Sequence, residues 1–264
     1  MDLGIDRRRV GEFAGGNPNY SRSFAWTQEP ASHTGLLLTY TVNDWMTLMG
    51  GVANTFNNGV NWRGTRDGGV TTSETEKTYM GMIMLTAPTN SLGFLGGSTL
   101  SATVVNGLNN ASGDTANSSI PGAPTPGHQT SLNVSATTPT PLKDLKVGLS
   151  YDYTDGFPAK ANYADIYTFY LMYQATEKLK LNARGEYFTG SDGFWYAPGP
   201  NSHNQELLGL TGTADYSLWK NVISRVEVRW DHSLTGDRPY NVAAGAPVGK
   251  KNELTLALNL IYNF

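Results

Sequence analysis

Glu253-Leu-Thr-Leu-Ala-Leu-Asn-Leu-Ile-Tyr-Asn-Phe264 closes the chain, and its alternation decides the fold. Leu254, Leu256, Leu258, Leu260, Tyr262 and Phe264 take every second position, while Glu253, Thr255, Ala257, Asn259 and Asn263 mostly fill the gaps. Successive side chains of a strand point to opposite faces, so this period of two predicts a strand with one apolar face. A tilted strand of about 9 to 11 residues crosses a bilayer core, whereas soluble strands usually stop near five or six. The run from 254 to 264 has the membrane length.

The same division recurs upstream. Val222, Val226, Val228 and Trp230 share one face, and Arg225, Glu227, Arg229 and Asp231 share the other. Leu145, Val147, Leu149, Tyr151 and Tyr153 oppose Lys146, Ser150 and Asp152; Leu179, Leu181, Ala183 and Tyr187 oppose Lys180, Asn182, Arg184 and Glu186. Weaker copies span 34–42, 45–55, 75–87, 94–106, 128–138, 162–175 and 204–217, which makes eleven strands. Residues 19–30 read equally as a twelfth strand, a short helix or an inward-folded loop.

Short connections near Asn43-Asp44, Pro88–Leu92, Pro139–Asp144, Thr176–Lys178 and Ser217–Asn221 alternate with longer ones at 56–74, 107–127, 155–161, 190–202 and 233–249. Outer-membrane barrels alternate in this way, with short periplasmic turns and long extracellular loops. Aromatic residues gather at the strand ends, as membrane girdles require. Tyr40, Trp45, Tyr173, Tyr216, Trp219, Tyr262 and Phe264 lie beside the short turns; Tyr151, Tyr153, Tyr163, Tyr187 and Trp230 lie toward the long loops. Period two alone also fits a soluble β-sandwich or a lipocalin-like ligand-binding barrel, which would bury the apolar face instead.

Composition narrows the function. The 264 residues carry a net charge of −3, no cysteine and only 16% charged residues, against about 25% in an average domain. Without cysteine there is no disulfide scaffold, thiolate nucleophile or Cys-ligated zinc, and a pI near 5.8 argues against nucleic-acid partners. The start, with Arg7, Arg8 and Arg9 followed by Gly, Asn and Pro, has no apolar core of a signal peptide. An exported chain would thus be a mature form or a fragment. We expect residues 1–18 to be irregular and 19–264 to form one barrel domain.

Particular phrases carry a family resemblance: Asn19-Tyr-Ser-Arg-Ser-Phe24, His33-Thr-Gly35 and Gly50-Gly-Val-Ala-Asn54 in the first part. Leu149-Ser-Tyr-Asp-Tyr153, Tyr173-Gln174 before Glu177-Lys-Leu179, and Arg184-Gly-Glu-Tyr-Phe188 before Asp192-Gly193 follow. Glu227-Val-Arg-Trp-Asp-His232 and Leu260-Ile-Tyr-Asn-Phe264 complete the series. In this order they resemble the OmpL-like putative β-barrel porin family from about residue 17 onward. The resemblance implies an all-β, antiparallel up-and-down barrel in the bacterial outer membrane, enclosing a water-filled pore, with Phe264 as the C-terminal insertion signature. Members usually carry a signal peptide and further N-terminal strands, so the resemblance also implies truncation. An odd count of eleven strands points the same way, since single-chain bacterial barrels generally close with an even number.

The candidate pore-lining set is Lys146, Asp152, Lys180, Arg184, Glu186, Arg225, Glu227, Arg229 and Asp231. Both signs are present, so the wall either sets up a transverse field that favours small polar solutes or pairs internally. Arg22, among Tyr20, Phe24 and Trp26, is the candidate constriction if residues 19–30 fold inward. Tyr173, Tyr216, Trp219, Trp230, Tyr262 and Phe264 are the girdle candidates. The expected partners are the lipid bilayer and small hydrophilic solutes or ions, with a homo-oligomer as an open option and no cofactor.

Enzymatic readings find little purchase. His33, His128, His203 and His232 are the available bases, but none has triad spacing, and adjacent Asp231 and His232 face opposite sides of a strand. The glycines of 64–69 and 93–97 match no phosphate-binding motif. Loop acids Asp67, Asp155, Asp192 and Asp237 lack a calcium-loop spacing and suit turn capping. The soluble binding module and the barrel enzyme remain the alternatives to a porin.

Overall fold

A computed structural model describes residues 16–30, 33–56, 63–66, 71–72, 75–90, 92–109, 128–156, 162–196, 203–240 and 249–263. Phe264, Asp67 and most of loop 107–127 lie outside the described residues. The strands are β1 (Gly35–Asn43), β2 (Met46–Ala53), β3 (Thr65–Arg66), β4 (Thr71–Thr72), β5 (Thr78–Thr86), β6 (Thr99–Leu108) and β7 (His128–Pro139). They continue as β8 (Leu145–Asp155), β9 (Tyr163–Gln174), β10 (Leu179–Gly190), β11 (Gln205–Trp219), β12 (Val222–Ser233) and β13 (Asn252–Tyr262). β3 and β4 pair as a separate small hairpin, and the other strands form one 11-stranded sheet in chain order. Each pairs antiparallel with the next, so the topology is up-and-down throughout.

Exposure is inverted relative to a soluble domain. Leu254, Leu256, Leu258 and Leu260 on β13 are 66–74% exposed, while Arg184, Glu186, Arg225 and Glu227 are 1–3% exposed. Charged side chains are almost never fully buried unless paired, and a bare leucine row is unfavourable in water. The apolar face is therefore the lipid-facing exterior and the charged face the interior, as in an outer-membrane barrel. The soluble sandwich or lipocalin reading fails here, because it requires these leucines to form the core.

The sheet order runs from β1 to β13 without a β1–β13 pairing, so these two strands are the edges among the described residues. Backbone groups at such edges have no water to bond to in hydrocarbon and need another partner there.

Two sequence expectations shift. The turn after β5 continues to Ser98 through a one-turn 3-10 helix, Gly93–Leu95, so β6 starts at Thr99 and not at 94. Left-handed backbone at Gly93 (φ 56) and Gly97 (φ 81) interrupts the extended run. Residues 19–30 are not a strand: they hold helix α1 (Phe24–Gln28), whose N-terminus is capped by the Ser23 hydroxyl accepting from the Trp26 amide at 3.2 Å.

Candidate functional site

Alternation along β10, β11 and β12 sends Arg184, Glu186, Thr211, Thr213, Asp215, Arg225, Glu227, Arg229 and Asp231 to one inner face. These charges are matched at close range. Arg184 donates to Glu186 at 2.7 Å, Arg225 grips the Asp215 carboxylate at 2.6 and 2.8 Å, and Arg229 bonds Asp231 at 2.7 Å. Arg229 also lies 3.6 Å from Glu186, which joins two of the pairs into a network.

Residues 17–24 run across this network, and their main chain is what the charges hold. The carboxylate of Glu227 accepts the amides of Tyr20, at 2.5 Å, and Ser21, at 2.8 Å. Glu186 accepts the amide of Phe24 at 2.6 Å. In return, Arg184 donates to the Ser21 carbonyl at 2.7 Å, Arg225 to the Asn17 carbonyl at 2.9 Å, and Arg229 to the Arg22 carbonyl at 2.5 Å. Asn19 donates to Thr213 at 2.8 Å, and Thr213 donates on to Glu227 at 2.7 Å. Charge-assisted bonds of this kind are roughly twice as strong as neutral ones, and each satisfies a buried peptide group.

Phe24 anchors the segment through packing. Its ring meets Trp195 at 5.3 Å and Phe188 at 6.5 Å, both edge-on, with the Arg229 guanidinium 5.0 Å over its face. Gly209 makes the space: a Cβ there would lie 3.2 Å from the Phe24 ring, 3.1 Å from Asp231 and 3.3 Å from Glu186. Ile166, Leu207 and Phe194 complete this apolar cluster inside an otherwise polar wall.

Arg22, half-buried, stacks its guanidinium 5.0 Å over Trp26. Asp152 on β8 accepts from Asn133 at 2.8 Å and Ser150 at 2.6 Å. Lys146 is exposed and Lys180 half-buried, both near the short turns. The expected lining set thus divides. Arg184, Glu186, Arg225, Glu227, Arg229 and Asp231 clamp the inner segment or each other, whereas the two lysines lie beyond it. Asp215, Thr213, Ser21 and the Phe24 ring escaped the sequence reading. Asp215 lies in the 204–217 stretch, where the alternation is weak, and its facing of Arg225 depends on cross-strand register.

At the ends of the strands, Trp219 (70%), Tyr262, Tyr216 and Tyr173 are exposed on the outer face, and Trp230 is half-buried, stacked on His232 at 5.3 Å. The long-loop mouth is tied by Asp237, which accepts from Tyr196 at 2.7 Å, Thr235 at 2.9 Å and His203 at 2.9 Å. Burial raises this carboxyl, but the three bonds outweigh it and hold it below the ordinary carboxylate range. Burial, with the Asp237 contact, pushes Tyr196 up to about 12.

Asp155 likewise accepts the Thr130 amide at 2.8 Å. His33 meets the Thr55 carbonyl at 3.1 Å, His128 lies 3.4 Å from Glu76, and His232 bonds Asn252 at 2.7 Å. Among the described residues no group of three His, Asp or Glu could hold a metal ion.

Comparisons with known proteins agree with this architecture. No curated protein matches the chain. Among solved structures, outer-membrane expressed OmpT of Vibrio cholerae superposes with a TM-score of 0.52 at 13% identity, covering 97% of this chain and 71% of that one. Two in-vitro folded forms of the Vibrio cholerae protein, one a trimer, match with TM-scores of 0.42 and 0.40, both at 13% identity. They cover 86% of this chain and 88% and 87% of theirs, and the fold assignment does not rest on them. At such identity the likeness speaks to the barrel fold alone. The sequence pattern of the family described as putative beta-barrel porin-2, OmpL-like, extends over residues 12–264, and with the inverted wall already in view the chain belongs to that family of the bacterial outer membrane.

Proposed function

We propose that this protein is a passive outer-membrane channel for small hydrophilic solutes or ions, narrowed on one side by residues 16–30. The observation that carries the reading is the inner segment itself, whose backbone is captured by Arg184 and Glu186 on β10 and by Arg225, Glu227 and Arg229 on β12. A segment held at so many points narrows the bore without moving during transport. No step in this function needs a nucleophile, a base or a cofactor; selection comes from bore, wall chemistry and loops. Within the inner segment Arg22, half-buried and stacked over Trp26, supplies the charge we assign to the constriction. Its partners are the bilayer outside and the solute inside.

Planar-bilayer recording of the refolded chain tests this. Discrete conductance steps are expected, and removing residues 16–30 should enlarge them. Arg22→Ala should shift ion preference while leaving the step frequency unchanged. A properly folded chain that inserts but never conducts would overturn the proposal.

A further inference from the structure

The inner wall is chemically two-sided. β1, β2, β5, β6 and β7 contain no Asp, Glu, Lys or Arg at all. On this half, the register places Thr47, Met84, Ser101, Ser135, Ser150 and Thr168 in one row across β2 and β5 to β9. The next row toward the short turns repeats the chemistry with Thr86, Thr99 and Thr137. Ser101 and Ser135 are joined at 2.9 Å, and the buried Thr168 hydroxyl has no hydrogen-bond partner. Beside the hydroxyls runs a thioether strip: Met80, Met82 and Met84 share the inner face of β5, and Met49 stands opposite Met82. Met84, Thr86, Thr99, Thr137 and Ser150 keep partial exposure, so the wall is reachable at its short-turn end, and Ser101, Ser135, Met80 and Met82 lie buried directly behind that end.

We infer that this wall is a track for uncharged, hydroxyl-rich solutes, the chemistry of sugars and polyols. The inference rests on the porin reading. Hydroxyls spaced about 4.8 Å from strand to strand along a row both donate and accept, so they exchange bonds with a polyol at nearly no net cost. An ion gains no opposite charge on β2 or β5 to β7, which carry none. Asp152 beside the row is taken up by Asn133 and Ser150, and the arginines and acids of β10 to β12 are spent on one another and on residues 17–24, leaving Lys146 on β8 and Lys180 on β10 near the short turns. The thioethers offer polarisable, apolar contact to the C–H faces of the same solute. One wall therefore matches both surfaces of a sugar ring.

The test uses the full chain refolded into proteoliposomes and planar bilayers. Glucose, glucosamine and gluconate are nearly equal in size and differ in charge. Glucose should enter at least about fivefold faster than either charged analogue, with a potassium-to-chloride permeability ratio within about threefold of one. Ser101→Val with Ser135→Val should slow glucose about threefold or more while potassium chloride conductance stays within about twofold; Ser101→Thr with Ser135→Thr should restore glucose entry. Equal or faster entry of a charged analogue, or valine and threonine variants that behave alike, overturns the track and leaves the porin standing. A folded chain with no conductance overturns both.

Discussion

Arg184 shows how a single side chain on this wall does structural work. It is fully buried, and its guanidinium serves Glu186, Ser21 and the Arg22 carbonyl. Truncating one member of a buried pair strands the other charge, typically for about 3–5 kcal/mol. Arg184→Ala is expected to lose stability of that order in guanidinium titrations of the detergent-folded protein, and to loosen residues 17–24 from the wall, which enlarges conductance steps under the channel proposal. Asp237 gives a pH prediction. Its carboxyl is depressed on folding, so the stability it lends is present above the unfolded pKa of about 4 and is lost as pH falls through the lower folded value. Protection factors against hydrogen exchange at 203–206 and 234–240, corrected for the intrinsic rate at each pH, should stay high at pH 5 to 7 and drop below about pH 4, and Asp237→Asn should lower them already at pH 7. Inward direction was legible for Arg184 and Glu227, because alternation is a local property. The role of Phe24 was not, since its pocket is made by Gly209 and by residues of distant strands.

At the scale of the element, β13 is a membrane strand whose outer face is bare leucine. Leu256, mid-strand, is the position where a cation should cost most: Leu256→Arg is expected to destabilise by about 2–4 kcal/mol, against about 0–1 for the same change near a strand end. Folding titrations in lipid vesicles measure the difference. Eleven strands were readable from their alternation, with ends moved by a residue or two in most cases. The clear misreading, β6, came where two glycines with left-handed backbone, Gly93 and Gly97, flank the apolar Phe94-Leu95 that looks extended on paper. Residues 19–30 stayed ambiguous because five helical residues have too little periodicity to be told from a loop. Their true character is set by what they dock against.

For the whole molecule, an exterior of leucine, valine and aromatic side chains predicts a chain that folds only with detergent or lipid. Refolding into detergent should restore a β-sheet circular dichroism spectrum and a heat-sensitive shift in gel mobility, and the same dilution into plain buffer should give aggregate. Alternation, strand length and the charge-poor composition belong to the sequence by itself, because side-chain direction along a strand depends only on neighbouring residues. They are enough for an antiparallel outer-membrane wall, its lipid face and its inner face. Register between strands, the row of hydroxyls it assembles, and the capture of residues 17–24 by Glu186, Glu227 and three arginines were decided by tertiary structure alone. The partners are separated by as many as 208 positions in the chain, as Asn17 is from Arg225, and no local pattern encodes a contact closed only when the sheet curves around its own N-terminal segment.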